Sequence, residues 1–339
     1  MTLAPTMNER PLLTIAIPTY NRALLLGRLL STLFEQTRNE SRVEVIVSDN
    51  ASPDNTIEIV QKFLSLGMSL RYIQNTENLG PDANLLQCYE QAAGKYVWVF
   101  GDDDMIEPGG LSAILKHLSA DDYDLVYVSA RSYKGEYVPA AQDGSQGVLV
   151  YKQPEEFSRR LHIMFTFISA NIVNKDRVSD LKHEPFSVLK GTNLVQLGWI
   201  YTALDSLRKG LLIQDTLVAG LMDNSGGYSV FSTFGPKFKS ITDTWINSRV
   251  VKRAILSGML QGYLPRLILD SKHNKDSFFR SQSRSALRVA FGSDSRYWIF
   301  NVPVMILPKP FDYCWVFFAR VASKLEYLIR WRLLKRAQT

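Results

Sequence analysis

The stretch GKYVWVFGDDDMIEPGGL, residues 94–111, decides how this chain is read. It opens on a short run of bulky apolar residues, 96–100, and then turns into Gly101-Asp102-Asp103-Asp104. A short apolar run without alternation fits a strand buried on both faces of a parallel sheet. Three adjacent carboxylates behind it are costly, because like charges a few ångströms apart repel and raise one another's pKa. A bound divalent cation removes that penalty, and hard oxygen ligands select Mg2+ or Mn2+. The plainer alternative is a solvated acidic turn capping the next helix, although Pro108-Gly109 intervenes before that helix starts.

The same grammar extends in both directions. Apolar runs at 12–18 (LLTIAIP), 43–47, 70–73 and 125–128 read as further strands. Between them lie helical spacings: Leu25, Leu29, Leu30 and Leu33 within 21–34, then Ile57, Val60, Phe63 and Leu64 within 54–66. Residues 82–93 and 110–118 also read as helices. Strands alternating with helices predict an α/β fold with a mostly parallel sheet flanked by helices. Such sheets bind ligands beyond the carboxyl ends of their strands. The polar clusters stand there: Thr19-Tyr20-Asn21-Arg22, Ser48-Asp49-Asn50 and Asp102-Asp103-Asp104. Further on, 132–153 reads as loop, 165–173 as an apolar run, 193–207 as a helix and 211–221 as a strand.

Each cluster has two readings on its residues alone. Asp49 either belongs to a turn, where Ser52 and Asp54 both suit a helix N-cap, or accepts a hydrogen bond from a nucleobase N–H. Tyr20-Asn21-Arg22 is either a strand-to-helix turn or places Arg22 against a phosphate at the positive end of the next helix. No GxGxxG, GxxxxGK[ST] or GxSxG occurs, so a dinucleotide fingerprint, a P-loop and a hydrolase elbow are all unsupported.

The 339 residues suggest about two domains. With 46% hydrophobic and 21% charged residues, the composition excludes a disordered or collagenous chain. Two distant cysteines, Cys88 and Cys314, and four histidines speak against a Cys/His zinc site or a disulfide framework, and the default home is the cytosol. Residues 236–339 hold 19 Lys/Arg against 6 Asp/Glu, whereas the rest of the chain is net acidic. That basic excess carries no nucleic-acid module, so no nucleic-acid partner is expected. Residues 1–11 show no apolar signal core, and the apolar stretch 297–319 is broken by Pro303, Pro308, Lys309, Pro310 and Asp312, which disfavours a spanning helix. The segment WVFFARVASKLEYLIRWRLLK, 315–335, reads either as a helix lying in a membrane interface or as a C-terminal helix packed on its own domain.

Four motifs in order, TIAIPTYNR (14–22), VIVSDNASPDNT (45–56), NTENLGPDANL (75–85) and residues 94–111, resemble the family 2 nucleotide-sugar glycosyltransferases of GT-A fold over roughly residues 10–130. The resemblance implies a catalytic domain at 10–235, with a donor half at 10–130 and an acceptor half at 131–235, followed by a basic helical region at 236–339. It implies that Pro18, Thr19, Tyr20, Asn21, Arg22, Asp49, Asn50, Gly80, Asp82, Asp102 and Asp103 face a nucleoside-diphosphate sugar. Asp103 and Asp104 would hold the divalent metal, Mg2+ or Mn2+, at the donor diphosphate. Aligned on Pro108, the usual first aspartate of the metal motif falls on Gly101. A narrower similarity, through FISANIVNK (167–175), GTNLVQLG (191–198) and TLVAGLMDNS (216–225), is to the bacterial abequosyltransferase-type enzymes of O-antigen assembly. It implies transfer of a deoxy- or dideoxyhexose to a lipid-linked oligosaccharide in surface polysaccharide synthesis, on the cytoplasmic face of the inner membrane. There a histidine often stands where this chain has Gln196.

By the same resemblance, inverting members need a carboxylate base roughly a hundred residues after the metal motif. Asp223 and Glu184 are the candidates carried forward, and Asn171, Thr192 and Gln196 are candidates for the acceptor pocket. Two rival readings stay open: a sugar nucleotidyltransferase, although PTYNR lacks the expected Gly-rich loop with Lys or Arg, and a non-catalytic nucleotide-sugar-binding or scaffold protein.

Overall fold

The computed structural model describes residues 10–140, 146–181, 183–222, 227–274 and 284–337, with side chains described to residue 325. The chain divides into two compact units. The first comprises Met1–Gln153 with Thr166–Asn224, and the second Pro154–Phe165 with Ser225–Thr339.

The first unit begins with β1 (Leu13–Thr19), α1 (Ala23–Thr37), β2 (Val43–Asp49), α2 (Thr56–Ser65), β3 (Arg71–Gln74), α3 (Pro81–Gln91) and β4 (Tyr96–Val99). It continues with β5 (Met105–Ile106), α4 (Gly110–Ala120), β6 (Leu125–Tyr133) and β7 (Val148–Tyr151). After the excursion into the second unit come β8 (Asn171–Asn174), α6 (Lys175–Ser179), α7 (Leu197–Asp205) and β9 (Gly210–Leu221). The strands form one sheet in the order β3-β2-β1-β4-β8-β6-β9-β5, with β7 paired to β9. Strands β1 to β4 pair in parallel, and β6 and β9 run the same way; β5, β7 and β8 run against them. The expected α/β fold with a mostly parallel, helix-flanked sheet is therefore present.

Burial explains the pattern. Leu13, Ile15 and Ile17 of β1, Val43, Val45 and Val47 of β2, and Trp98 of β4 are almost wholly covered, as are Leu26, Leu29, Leu30 and Leu33 of α1. These side chains share one core with Ile114, Leu115 and Leu118 of α4. The strand ends are tied as well: the Phe100 amide donates to the Ala16 carbonyl at 2.9 Å and the Asn50 amide to the Thr19 carbonyl at 3.0 Å.

Three expectations need correction. The supposed loop at 132–153 contains β7, half-exposed and paired antiparallel with β9. The helix expected at 193–207 starts only at Leu197, because Asn193 takes a left-handed φ of 61° and cannot belong to a helix. The boundary between the units falls near 225 rather than 235, and the segment 154–165 leaves the expected acceptor half for the second unit. Its helix α5 (Pro154–Leu161) buries Phe157, Ser158 and Leu161 there, with the Phe157 ring edge-on to Phe165.

The second unit is helical: α5, α8 (Val230–Ser232), α9 (Phe238–Trp245), α10 (Arg249–Ser257), α11 (Leu264–His273), α12 (Ser285–Phe291), α13 (Val302–Ile306) and α14 (Phe311–Ala337). Among the described residues no helix is long and apolar enough to cross a membrane. Phe231, Phe238, Ile255, Met259, Leu264, Ile268 and Phe291 form its interior. His162 lies flat against Gly258, where a Cβ would stand 2.1 Å from the imidazole Cγ. Burial and the neighbouring Arg160 push the His162 pKa down to about 4, so the ring is neutral at neutral pH.

That contact gives a direct test. Gly258→Ala should cost roughly 2 kcal/mol of stability through overpacking, read by denaturant unfolding, and His162→Gly in the same chain, which removes the ring and also the Cβ that would stand 2.3 Å away, should recover most of it. Equal losses with and without the imidazole would contradict the contact.

Candidate active site

The site is built where three strands of the first unit end. β1 ends in Thr19, and the chain then passes through Asn21 at a left-handed φ of 55° to Arg22, which precedes α1. β4 ends at Val99 and leads into Gly101-Asp102-Asp103-Asp104. The Thr19 hydroxyl donates to Asp102 Oδ2 at 2.7 Å. The Arg22 guanidinium, through Nη1, reaches Asp102 Oδ1 at 3.0 Å and Asp103 Oδ2 at 3.1 Å. Asp104 turns inward instead, accepting from the Ser169 hydroxyl at 2.5 Å and from the Leu221 amide at 3.1 Å. Ser169 in turn accepts the Gly101 amide at 2.9 Å, and the Tyr133 hydroxyl donates to the Asp103 carbonyl at 2.8 Å.

The electrostatics follow from that packing. Burial, followed by the charge of Asp103, raises the Asp102 pKa to about 6 despite the opposing pull of Arg22 and Thr19. Burial and Asp103 also push Asp104 upward. Burial lowers the Arg22 pKa, but the two carboxylates outweigh it and hold the guanidinium firmly charged. Carboxylates raised in this way are carboxylates short of positive charge.

The missing first aspartate has a steric counterpart. A Cβ on Gly101 would stand 3.0 Å from Asp103 Oδ1 and 3.0 Å from Asp104 Oδ2, so these two oxygens converge over the glycine. Among the described residues no group of three or more His, Cys, Asp or Glu could hold a metal. Two converging carboxylates without a third suit Mg2+ or Mn2+ held jointly with substrate phosphates, the usual habit of Mg2+.

The other expected donor residues surround this turn. Tyr20 is exposed, while Thr19, Asp49 and Asn50 are buried. Asp49 accepts the Ser52 amide at 2.9 Å on one oxygen and the Tyr72 hydroxyl at 2.6 Å on the other. Ser52 and Asp54 cap across the fold: Ser52 Oγ accepts the Asn21 amide and Asp54 accepts the Ala23 amide at 2.9 Å, with Thr56 on its other oxygen. Asn50 binds Asn78 and the Leu79 amide, drawing Gly80 alongside. Gly80 supplies the left-handed φ of 84° before α3 that a residue with a Cβ resists. Asp82, in the first turn of α3, is buried and accepts the Asn193 amide at 2.8 Å, so its carboxylate ties the 193–195 segment to the donor half.

In the acceptor half, Asn171 donates to the Phe167 carbonyl at 2.7 Å and Gln196 to the Thr166 carbonyl at 3.0 Å. The Gln196 Oε1 is buried with no hydrogen-bond partner. Thr192 donates to the Leu189 carbonyl, a local turn contact. Glu184 is exposed beside His183, whose ring stacks on Phe186; Phe186 meets Tyr89 in the last turn of α3, the opposite end of that helix from Asp82. Asp223 lies outside the described residues, two positions beyond Leu221.

The sequence reading missed four supports. Ser169 and Tyr133 brace the acidic turn, Tyr72 closes Asp49, and buried Glu107 accepts from Arg131, Tyr137 and the Ala140 amide. Ser169 and Glu107 lay inside motifs already singled out, at 167–175 and 94–111, whereas Tyr72 and Tyr133 lay outside them.

Residues 14–180 match the model of glycosyl transferase family 2. This stretch is a family 2 glycosyltransferase domain. The abequosyltransferase RfbV of Salmonella typhimurium is 29% identical over 180 residues, covering 49% of this chain and 54% of that protein. The GalNAc(5)-diNAcBac-PP-undecaprenol beta-1,3-glucosyltransferase of Campylobacter jejuni is 32% identical over 107 residues, covering 31% of this chain and 34% of that protein. The chain thus spans about half or less of these relatives. Among solved structures, Staphylococcus aureus TarS 1–349 in complex with UDP-GlcNAc superposes with a TM-score of 0.60 at 19% identity, covering 93% of this chain and 88% of that one. Mannosyltransferase PcManGT from Pyrobaculum calidifontis, in complex with GDP-Man and Mn2+, gives 0.52 at 16% identity, covering 95% and 88%. These likenesses establish the GT-A glycosyltransferase fold.

The raised Asp102 has a measurable consequence in the metal-free domain. An unfolded aspartate loses its proton near pH 4, before the folded Asp102 does, so folding stability falls as pH rises from about 4 to about 6. The stability lost across that window is roughly 3 kcal/mol at most. Asp102→Asn should therefore gain in Tm on the unmodified protein across that window, and Tm curves that stay parallel from pH 4 to 6 would contradict it.

Proposed function

We propose that the chain is a metal-dependent glycosyltransferase moving a sugar from a nucleoside-diphosphate donor to a lipid-linked saccharide. The carrying observation is the Thr19–Asp102–Arg22–Asp103 cluster at the ends of β1 and β4, with Asp104 beside it. In this reading the base and ribose lie over the exposed Tyr20 and Asn21, with Pro18 and the buried Asp49 and Asn50 behind them. Arg22 faces the leaving diphosphate and stabilises the charge that grows there. Asp103 and Asp104 would hold the divalent ion, which neutralises part of that charge when bound. Gly80 and Asp82 shape the wall between donor and acceptor halves, with Asn171, Thr192 and Gln196 on the acceptor side.

A base must take the proton of the acceptor hydroxyl if the sugar inverts. Asp223 is the stronger candidate, since it follows closely on Leu221, whose amide bonds Asp104. Glu184 stands with the rings at the far end of α3. The names of the Salmonella and Campylobacter relatives support a sugar donor and a polyprenyl-linked acceptor of the kind used in surface polysaccharide assembly. The basic surplus of 236–339 supports peripheral attachment to the cytoplasmic face of the membrane. The donor sugar is proposed as a deoxy- or dideoxyhexose on the narrower likeness to the abequosyltransferase.

Calorimetric titration against CDP, UDP, GDP and dTDP, with and without Mn2+, tests the donor site. One nucleotide should bind with metal and lose about tenfold or more in affinity in Asp103→Ala, the scale of one lost charge-assisted contact. Binding of no nucleotide at millimolar concentration would count against the transferase and favour the scaffold reading. Asp223→Asn should lower kcat about a hundredfold or more with little change in donor KM, the mark of a lost proton acceptor. An unchanged kcat would remove Asp223 from that role.

A further inference from the structure

The second unit contains a cavity of about 800 Å3 lined by α5 with His162 just beyond it, α10, the helical stretch Gly258–Tyr263, α11 and α14. Its size lies in the range of small-molecule sites. Five cations stand on its wall, Arg159 and Arg160 from α5, Arg266 from α11, and Arg320 and Lys324 from α14, and no carboxylate lines it. Arg159 is engaged with Glu155 one turn earlier. Arg160, Arg266, Arg320 and Lys324 make no ion pair with any described carboxylate. Gathering four uncompensated charges around one concavity raises its potential, and a multiply charged anion relieves the repulsion.

The rest of the wall names the kind of anion. Phe317 and Val321, on the same face of α14 as Arg320 and Lys324, also line the cavity. Both stay exposed, Phe317 at 68%, and exposed Phe318 and Leu325 continue the apolar surface along the helix. A second hollow shares Arg266, Phe317 and Arg320, and Asp270 stands on its wall. A cationic concavity that opens beside unpartnered aromatic and aliphatic side chains matches a molecule with a charged head and a long apolar tail. Four unpaired cations exceed what the single charge of a phosphodiester lipid requires, and suit the two or three charges of a diphosphate.

We infer that this cavity binds the diphosphate head of a lipid-diphosphate saccharide, with Arg160, Arg266, Arg320 and Lys324 on the phosphates and Phe317 and Val321 along the start of the lipid chain. The inference rests on the lipid-linked acceptor of the proposed function, and it assigns the recognition of that acceptor's anchor to the helical unit. It also distinguishes a specific head-group site from general attraction of a basic surface to anionic membranes.

The test is flotation of the full chain with neutral phosphatidylcholine vesicles carrying a few mole per cent of a polyprenyl diphosphate. A parallel set carries phosphatidylglycerol at equal total charge. The inference expects tighter binding to the diphosphate vesicles and competition by inorganic pyrophosphate. An Arg266→Gln/Arg320→Gln double variant should bind them about a hundredfold or more weakly, the loss expected from two charge-assisted contacts. Both positions are exposed, so the variant should melt with the unmodified Tm. The Arg320→Lys variant, which keeps the charge, should retain most of the binding. Equal binding to both vesicle types, or an unchanged affinity in the double variant, would overturn the head-group site. Nucleotide titration of the same preparation separates the two proposals: nucleotide bound without lipid diphosphate sinks only this inference, whereas no nucleotide bound sinks the transferase reading on which it rests.

Discussion

The donor end of the sheet depends on one cation. Arg22 Nη1 sits between Asp102 and Asp103, each about 3 Å away, in a place where burial has already made the carboxylates reluctant to ionise. The guanidinium is held there by the backbone that precedes α1, and that backbone is fixed in turn by Ser52 and Asp54 from the β2–α2 loop. Three strand ends are thus joined, two by an ion-pair cluster and the third by side chains that accept backbone amides. The arrangement is electrostatically incomplete: one guanidinium meets two carboxylates while a third, Asp104, stands beside them with no cation among the described residues, and the deficit is what a metal and a diphosphate-bearing ligand are suited to settle between them.

The polar residues around it divide into those that face outward and those that hold the scaffold. Asp49, Asp54, Asp82 and Glu107 are acids whose oxygens accept backbone or phenolic hydrogens from neighbouring loops. They behave as struts that set loop geometry, which is where buried carboxylates are affordable. Asp82 is instructive, because it links the first turn of α3 to residue 193, more than a hundred residues later. An acid expected to meet the ligand can also be the pin that joins the two halves of the domain.

The sheet and the site's location were legible because they are written locally. Four apolar runs of strand length, each followed by a polar turn, mark β1 to β4 and the ligand end of the sheet. The antiparallel additions were not legible. β7 is a short, half-exposed edge whose partner β9 begins about sixty residues later, and nothing in VLVY announces that pairing. The departure of 154–165 into the helical unit is likewise a long-range choice, made by Phe157 and Leu161 finding other helices rather than by any linker composition. Tyr72, Tyr133 and Glu107 escaped notice because bracing by a phenol or a buried acid depends on tertiary placement and leaves no spacing rule behind.

Gly101 leaves little room for a side chain. Its two neighbours, Asp103 and Asp104, have moved over the bare Cα until their oxygens stand where a side chain would begin. An aspartate restored at 101 would meet them at contact distance, and Ser169 only slightly farther off. Recovering a three-carboxylate motif would need at least one compensating change, at Ser169 or in the turn itself, before the acid became tolerable. The turn is therefore packed around the bare glycine, and any side chain at 101 obliges the Asp103 and Asp104 carboxylates to give way by a few tenths of an ångström.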